Sequence, residues 1–116
     1  EIKFKYSTIG DNTQENREWL EKLGYKVNHS SDDRFLRTYE DGSTKISHFK
    51  NWIYEDKQPI NCIGNSPLFK AISAMRGDSN FGQWFVDPCG YWHFNPIIMD
   101  GMRKATLTEL QEKFKL

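Results

Sequence analysis

Cys89 and His93 are the residues whose types and spacing come closest to a reactive centre. An imidazole can activate a nearby thiol as a nucleophile, and the same two groups can bind zinc with Cys62 as a third ligand. A structural zinc site uses four ligands in closely spaced pairs, which the sequence lacks, and no neighbouring residue indicates a partner that would orient His93. We therefore predict no catalytic residue, no metal site and no cofactor.

The two cysteines have simpler roles under this interpretation. We predict that Cys62 is a small buried residue and Cys89 a turn residue, both of them reduced. A Cys62–Cys89 disulfide is the alternative, although no secretory signal favours it. The sequence also has no phosphate-binding glycine loop, zinc-protease helix motif or nucleophile elbow.

Aromatic side chains offer a different chemistry, because eight Phe, five Tyr and four Trp make up 15% of the chain. Residues 83–87 and 91–95 have the alternation of two paired strands around a turn at 88–90. One face of this hairpin is then a core face that carries Trp84, Val86, Trp92 and Phe94. The opposite face carries Phe85, Tyr91 and His93, and we predict that it binds a partner unless a neighbouring element covers it.

An earlier hairpin, predicted at 34–49, combines basic and aromatic side chains in a similar way. Arg37 and Tyr39 lie on its first strand, and such side chains on a sheet can stack on the bases of a single-stranded nucleic acid. We therefore include both as candidate binding residues. The sequence has no RNA-recognition signature, which makes nucleic acid the alternative partner and a protein the first.

Capping and turn residues indicate the scaffold that holds these side chains. Asp41-Gly42 predicts a hairpin turn, Gly24 the end of a helix, and Ser66-Pro67 the start of another. Thr106 and Glu109 form a capping box. The predicted strands are 2–6, 34–39, 44–49, 60–63, 83–87 and 91–95. The first predicted helix begins at a capping box of Asn12 and Glu15 and ends at Leu23. The other two run from Pro67 to Arg76 and from Thr106 to Lys115.

Length, charge and connections define the fold class. A chain of 116 residues is enough for a single globular domain, 1–116, and its short connections favour antiparallel pairing. We predict an α+β fold, in which an antiparallel sheet of hairpins has about three helices packed mainly on one face, with Ile72 and Met75 buried. Sixteen basic and sixteen acidic residues balance, so the chain has no overall attraction to nucleic acid or to an anionic membrane, and no apolar stretch is long enough to cross a bilayer.

The second half has a more specific pattern: an apolar helix ending in Arg and a polar turn, an aromatic strand, and a closing helix. The stretches are Leu68-Phe69-Lys70-Ala71-Ile72-Ser73-Ala74-Met75-Arg76 followed by Asp78, Gln83-Trp84-Phe85, and Lys104-Ala105-Thr106-Leu107-Thr108-Glu109-Leu110. This pattern resembles a group of small proteins encoded by phages and mobile elements of gut bacteria. No activity is established for the group, so the resemblance implies no catalytic residue. It implies a small accessory protein, in the cytoplasm of a bacterial host cell, that binds a host or phage component.

These observations lead to three functional hypotheses. The first is a non-enzymatic protein that binds a protein partner, for example as an inhibitor of a host system. The alternative is a single-stranded nucleic-acid-binding domain that uses Arg34, Arg37, Tyr39 and Phe85. The third is a protein that sequesters a small molecule, or an enzyme, with its site at a subunit interface.

Overall fold

The computed structural model describes residues 6–30, 32, 34–39, 41–47, 59–75 and 80–115. Their helices and strands, in chain order, are β1 (Thr8–Asp11), α1 (Gln14–Lys22), β2 (Phe35–Thr38), β3 (Thr44–Ser47), β4 (Ile60–Asn61), α2 (Ser66–Ser73), β5 (Trp84–Val86), β6 (Trp92–Phe94), β7 (Arg103–Lys104) and α3 (Leu107–Lys113). The predicted α+β class is confirmed. Within this part of the chain, no helix is long and apolar enough to cross a membrane.

The strands form two sheets instead of one continuous sheet of hairpins. The first has the order β3-β2-β1-β4, and the second has the order β6-β5-β7. All pairs are antiparallel except β1 and β4, which pair in parallel with Thr8 opposite Ile60. A parallel pair needs a long connection between its strands, and the chain between Asp11 and Ile60 supplies one.

The N-terminal strand differs from its predicted position. Residues 2–5 of the predicted strand at 2–6 lie outside the described residues, and Tyr6 is not in a strand. The strand observed nearby is β1, which occupies the middle of the first sheet between β2 and β4. Ile9 on β1 is fully buried, so this strand contributes to the core.

Two of the three helices begin one residue away from the predicted cap. Thr13 caps α1 and accepts a hydrogen bond from the backbone N–H of Asn16, whereas the Asn12 side chain donates to the Ser30 carbonyl at 2.8 Å. Asn65, and not Ser66, caps α2 by accepting from the backbone N–H of Leu68. In each case the neighbouring residue also has a short polar side chain, so sequence alone does not distinguish the two positions.

The third helix and the hairpin turn follow their local signals. Thr106 and Glu109 form the predicted capping box of α3, with both reciprocal hydrogen bonds present. Gly42 has the positive φ of 86° that the predicted turn between β2 and β3 requires. These elements are determined by residues close together in the chain.

Helix α2 packs directly on β1 at a position where only glycine fits. A Cβ atom at Gly10 would lie 2.8 Å or less from three atoms of the Phe69 ring, which is itself fully buried. Ile72, on the same helix, is fully buried as predicted, whereas Met75 is only partly buried. Helix α2 ends at Ser73, before the predicted end at Arg76, a residue outside the described part of the chain.

Candidate functional site

The hairpin of β5 and β6 has the predicted register but not the predicted exposure. Trp84 pairs with Phe94 and Val86 with Trp92, so these four side chains share one face as expected. Phe85 on the opposite face is only 4% exposed, which corrects its assignment to an open binding surface. β5 is the central strand of this sheet, so the Phe85 side chain is flanked on its own face by His93 of β6 and Lys104 of β7. Tyr91, by contrast, is 70% exposed.

His93 contributes to the structure of the hairpin turn. His93 Nε2 lies 2.9 Å from Asp87 Oδ2, while Asp87 Oδ1 accepts hydrogen bonds from the backbone N–H groups of Cys89 and Tyr91. The hydrogen bond with His93, together with those backbone donors, holds the pKa of Asp87 below its usual value. Asp87 is the orienting partner that the sequence did not reveal, and the carboxylate joins both strands across the turn.

The cysteines occupy contrasting environments. Burial raises the pKa of the Cys62 thiol to about 12, so this thiol is protonated at neutral pH. Cys89 is exposed at the hairpin turn, and both are free thiols. Among the described residues, no group of three His, Cys, Asp or Glu side chains could hold a metal ion.

Arg37 and Tyr39 lie in the other sheet and do not join the hairpin residues. Arg37 is only 1% exposed, its Nε donates to Ser7 Oγ at 3.3 Å, and its guanidinium carbon lies 5.0 Å from the centre of the Tyr39 ring. Tyr39 is half-buried. The candidate binding residue Arg37 is therefore not exposed on this sheet, because its guanidinium is buried.

A cleft lies on the face of the hairpin that was predicted to be core. Its volume is about 430 Å³, within the range of ligand-binding clefts. We call it the aromatic cleft, and its lining residues are Glu15, Trp19, Ser66, Pro67, Lys70, Ala71, Trp84, Phe94 and Phe114. These residues come from α1, α2, the hairpin and the end of α3, so the cleft is the place where the three helices meet the second sheet.

Four rings of the aromatic cleft form a continuous surface. The Trp84 ring centre lies 5.0 Å from that of Phe94 and 5.5 Å from that of Phe114. The Trp19 ring stacks near Phe94 at 6.4 Å, with an angle of 27° between the ring planes. These distances lie in the favourable range for aromatic pairs. Phe94 remains 47% exposed, so part of this apolar surface contacts solvent.

Hydrogen bonds outside the cleft hold its rings in place. Trp19 Nε1 donates to the Lys70 carbonyl at 3.1 Å and lies 3.2 Å from Ser73 Oγ, which connects α1 to α2. The opposite side of the Trp19 ring packs on Gly82, where a Cβ atom would lie 2.8 Å from the indole. The Phe114 carbonyl accepts a hydrogen bond of 2.7 Å from the Asn65 side chain. The Trp19 ring is therefore fixed between the two helices, and the backbone at Phe114 is joined to the start of α2.

The edge of the cleft carries charges of both signs. Glu15 and Lys70 form an ion pair, and the hydrogen bond from Lys70 lowers the pKa of Glu15. Lys113 Nζ lies 4.8 Å from the ring centre of Trp92 and 5.6 Å from that of Trp84, which is cation–π geometry. Glu15 and Lys70 offset each other, whereas Lys113 does not line the aromatic cleft but a second pocket, with Trp92, Thr108, Glu109 and Glu112.

An exposed apolar segment follows Phe94 closely in the chain. We call Ile97–Met99 the apolar loop; Ile97 is 90% exposed, Ile98 46% and Met99 67%. Exposed Asp100 comes immediately after it. The apolar loop is thus a second exposed apolar feature, in addition to the aromatic cleft.

The sequence contained only part of the signal for this site. The alternation of the hairpin correctly grouped Trp84 with Phe94 on one face. It does not indicate that this face meets α1 and α2 at an open groove, since that depends on contacts between distant segments. In the comparisons with known proteins, no family model, curated protein or solved structure matches this chain.

Proposed function

We propose that the protein is a non-enzymatic binding protein whose aromatic cleft takes up an apolar segment of a protein partner. The observation that carries this proposal is the set of four adjoining rings around a cleft of about 430 Å³, with Phe94 47% exposed at its edge. Trp, Tyr and Phe are enriched in protein interfaces, where a few well-packed rings contribute most of the affinity. The Trp19 ring, which is already fixed, loses little side-chain entropy on binding.

The exposed apolar loop supports a macromolecular partner. A partner that filled only the cleft would leave Ile97 and Met99 in water, whereas a protein surface can cover the cleft and the loop together. The resemblance to small phage and mobile-element proteins is consistent with this proposal, since such accessory proteins act by binding. We propose that the protein works in a bacterial cytoplasm, with inhibition of a host system as one form of the activity.

A small apolar molecule is the second candidate ligand. The volume of the cleft suits such a molecule. The cleft is formed within one chain, unlike the subunit-interface site of the third hypothesis. Nucleic acid receives less support. Two of its four proposed contact residues, Arg37 and Phe85, are buried.

Peptide display on the immobilised protein tests the proposal. Enriched peptides are synthesised, and their affinities are measured by calorimetry for the wild type, for Phe94→Ser in the cleft and for Tyr91→Ser as the matched control. Tyr91 is a more exposed ring on the same hairpin but does not line the cleft. We expect Phe94→Ser to weaken binding about thirtyfold, as for a hot-spot ring, and Tyr91→Ser to change it less than about twofold.

Three outcomes would contradict the proposal. They are a display in which no peptide is enriched, equal losses for both variants, and stronger binding of a small aromatic compound or an oligonucleotide than of any peptide. Oligonucleotide binding is measured at two salt concentrations, because contacts with phosphates weaken steeply as salt increases.

A further inference from the structure

We propose that the second pocket, beside Trp92, binds the guanidinium group of an arginine side chain of the protein partner. We call it the Trp92 pocket; it has a volume of about 400 Å³, and its lining residues are Trp92, Thr108, Glu109, Glu112 and Lys113. It shares no lining residue with the aromatic cleft. The inference therefore adds a site to the proposed function and rests on that proposal only for the class of partner.

The aromatic side of the Trp92 pocket attracts a cation from this chain. Lys113 Nζ lies 4.8 Å from the ring centre of Trp92 and 5.6 Å from that of Trp84. The Phe114 ring centre is 6.0 Å from the same nitrogen. Ring faces carry a partial negative charge, so they attract an ammonium group. Lys113 is exposed and forms no ion pair with a described carboxylate, so a stronger cation from a partner can take its place.

The polar side of the pocket has two carboxylates that are bound differently. Both oxygens of Glu109 accept hydrogen bonds from Arg103, at 2.6 and 2.8 Å, so this carboxylate is already engaged. Glu112 pairs with Lys115 at 3.5 Å, and the exposed fractions of those two side chains are 72% and 71%. An ion pair that is exposed to this extent contributes little to stability. Glu112 is therefore the carboxylate that is available to a ligand.

An arginine side chain satisfies both sides of the pocket at once. Its planar guanidinium stacks on an indole face and still donates two parallel hydrogen bonds to a carboxylate. Among the described residues, Lys113 contacts the rings but not a carboxylate, and Lys115 contacts Glu112 but not the rings. A ring and a carboxylate that neither of these lysines connects are the complement of a guanidinium group.

The neighbouring cleft indicates the source of the arginine. The ring centre of Trp92, in the pocket, lies 6.2 Å from that of Trp84, which lines the aromatic cleft. A protein segment that fills the cleft can therefore place an arginine in the Trp92 pocket without a long spacer. Two adjoining contacts within one partner also reinforce each other, because the second forms inside an existing complex.

Titration with N-acetylarginine amide tests the inference, because this compound has the side chain and the blocked backbone of an arginine in a peptide. Binding is followed by the NMR signal of the Trp92 indole N–H, which the Trp92→Phe variant identifies. We expect saturable binding in the millimolar range, at least about threefold tighter than that of N-acetyllysine amide. N-acetylcitrulline amide, which has a similar shape without the charge, should not bind measurably.

Two substitutions test the two sides of the pocket separately. Glu112→Gln removes the charge of the carboxylate and should weaken binding of N-acetylarginine amide about fivefold. Lys113→Met removes the competing ammonium but keeps an apolar side chain, and should strengthen binding about threefold. Glu18→Gln and Lys22→Met make the same charge changes at exposed positions of α1, and as matched controls they should change the affinity less than about 1.5-fold.

Several results would overturn the assignment of the pocket to arginine. Equal binding of the arginine and citrulline compounds would show that the charge is not recognised, and tighter binding of the lysine compound would assign the pocket to an ammonium group. An unchanged affinity in Glu112→Gln or in Lys113→Met would contradict the role given to that side chain. Free arginine that binds more than about tenfold tighter than the blocked compound would identify an amino acid, and not a protein, as the ligand.

The same measurements separate this inference from the proposed function. A protein that binds displayed peptides through Phe94, but does not bind N-acetylarginine amide at Trp92, would overturn the inference and leave the proposed function in place. Binding of the arginine compound without any enriched peptide would overturn the proposed function, and with it the protein source of the arginine. Enriched peptides that lose affinity in both Phe94→Ser and Glu112→Gln would support both.

Discussion

Gly10→Ala adds one methyl group where helix α2 packs closely on strand β1. The new Cβ would lie 2.8 Å or less from three atoms of the Phe69 ring, whereas ordinary contacts begin near 3.4 Å. The ring must therefore move by more than half an ångström, yet it is fully buried among close-packed neighbours. Such overpacking costs about 1–3 kcal/mol. Replacement of glycine by alanine also lowers the conformational entropy of the unfolded chain, which stabilises the folded state by about 0.4–1 kcal/mol.

The net expectation is a loss of about 1.3 kcal/mol in the free energy of unfolding, measured by urea denaturation. With a typical dependence on urea of about 2 kcal/mol per M, the midpoint should fall by about 0.6 M. Phe69→Leu removes part of the clashing ring, so the double variant should be at least about 1 kcal/mol more stable than the sum of the two single changes predicts. A Gly10→Ala protein with an unchanged or higher midpoint would refute the proposed packing of α2 on β1.

Three further predictions concern the hairpin and the thiols. Phe85→Ala should lower the free energy of unfolding by about 3–5 kcal/mol, because the ring is buried. Tyr91→Ala should change it by less than about 0.5 kcal/mol, because that ring is exposed. Thermal denaturation measures both variants, and similar losses of stability in the two would contradict this prediction. The hydrogen bond from His93 lowers the pKa of Asp87 in the folded state. The ionised Asp87 therefore stabilises the folded protein at pH values above its unfolded pKa of 3.8, and this stabilisation is lost as the pH falls through the lower pKa of the folded state. The urea midpoints of wild type and Asp87→Asn should therefore differ at pH 6 and converge on acidification, and a constant difference would count against this pairing. Only one thiol per native chain should react rapidly with Ellman's reagent, because Cys62 is buried with a pKa of about 12; rapid reaction of both would show that its environment is wrongly described.

Elements determined by local signals could be predicted, and those determined by distant contacts could not. The turn at Gly42 and the capping box at Thr106 depend on residues within four positions of each other. Strand β1, in contrast, is a four-residue segment that contains Gly10, and its strand conformation depends on partners at β2 and β4. A short segment with a central glycine has no strong strand preference of its own.

The site illustrates the same limit. Alternation predicted which hairpin side chains share a face, but not which face is covered. Phe85 is buried where β5 is flanked by a two-residue strand, β7, that has no recognisable pattern in the sequence. The aromatic cleft combines residues as far apart as Trp19 and Phe114, so no periodicity within one element could reveal it.

The central position of β1 has a consequence for how the chain folds during synthesis. Its parallel partner β4 ends at Asn61, whereas β1 ends at Asp11, so about fifty residues separate them on the ribosome, or roughly 2.5–10 s of translation. Phe69, which packs on Gly10, emerges later still. One edge of β1 therefore has no partner from this sheet during that interval, and the nascent chain is exposed to incorrect strand pairing until β4 has emerged.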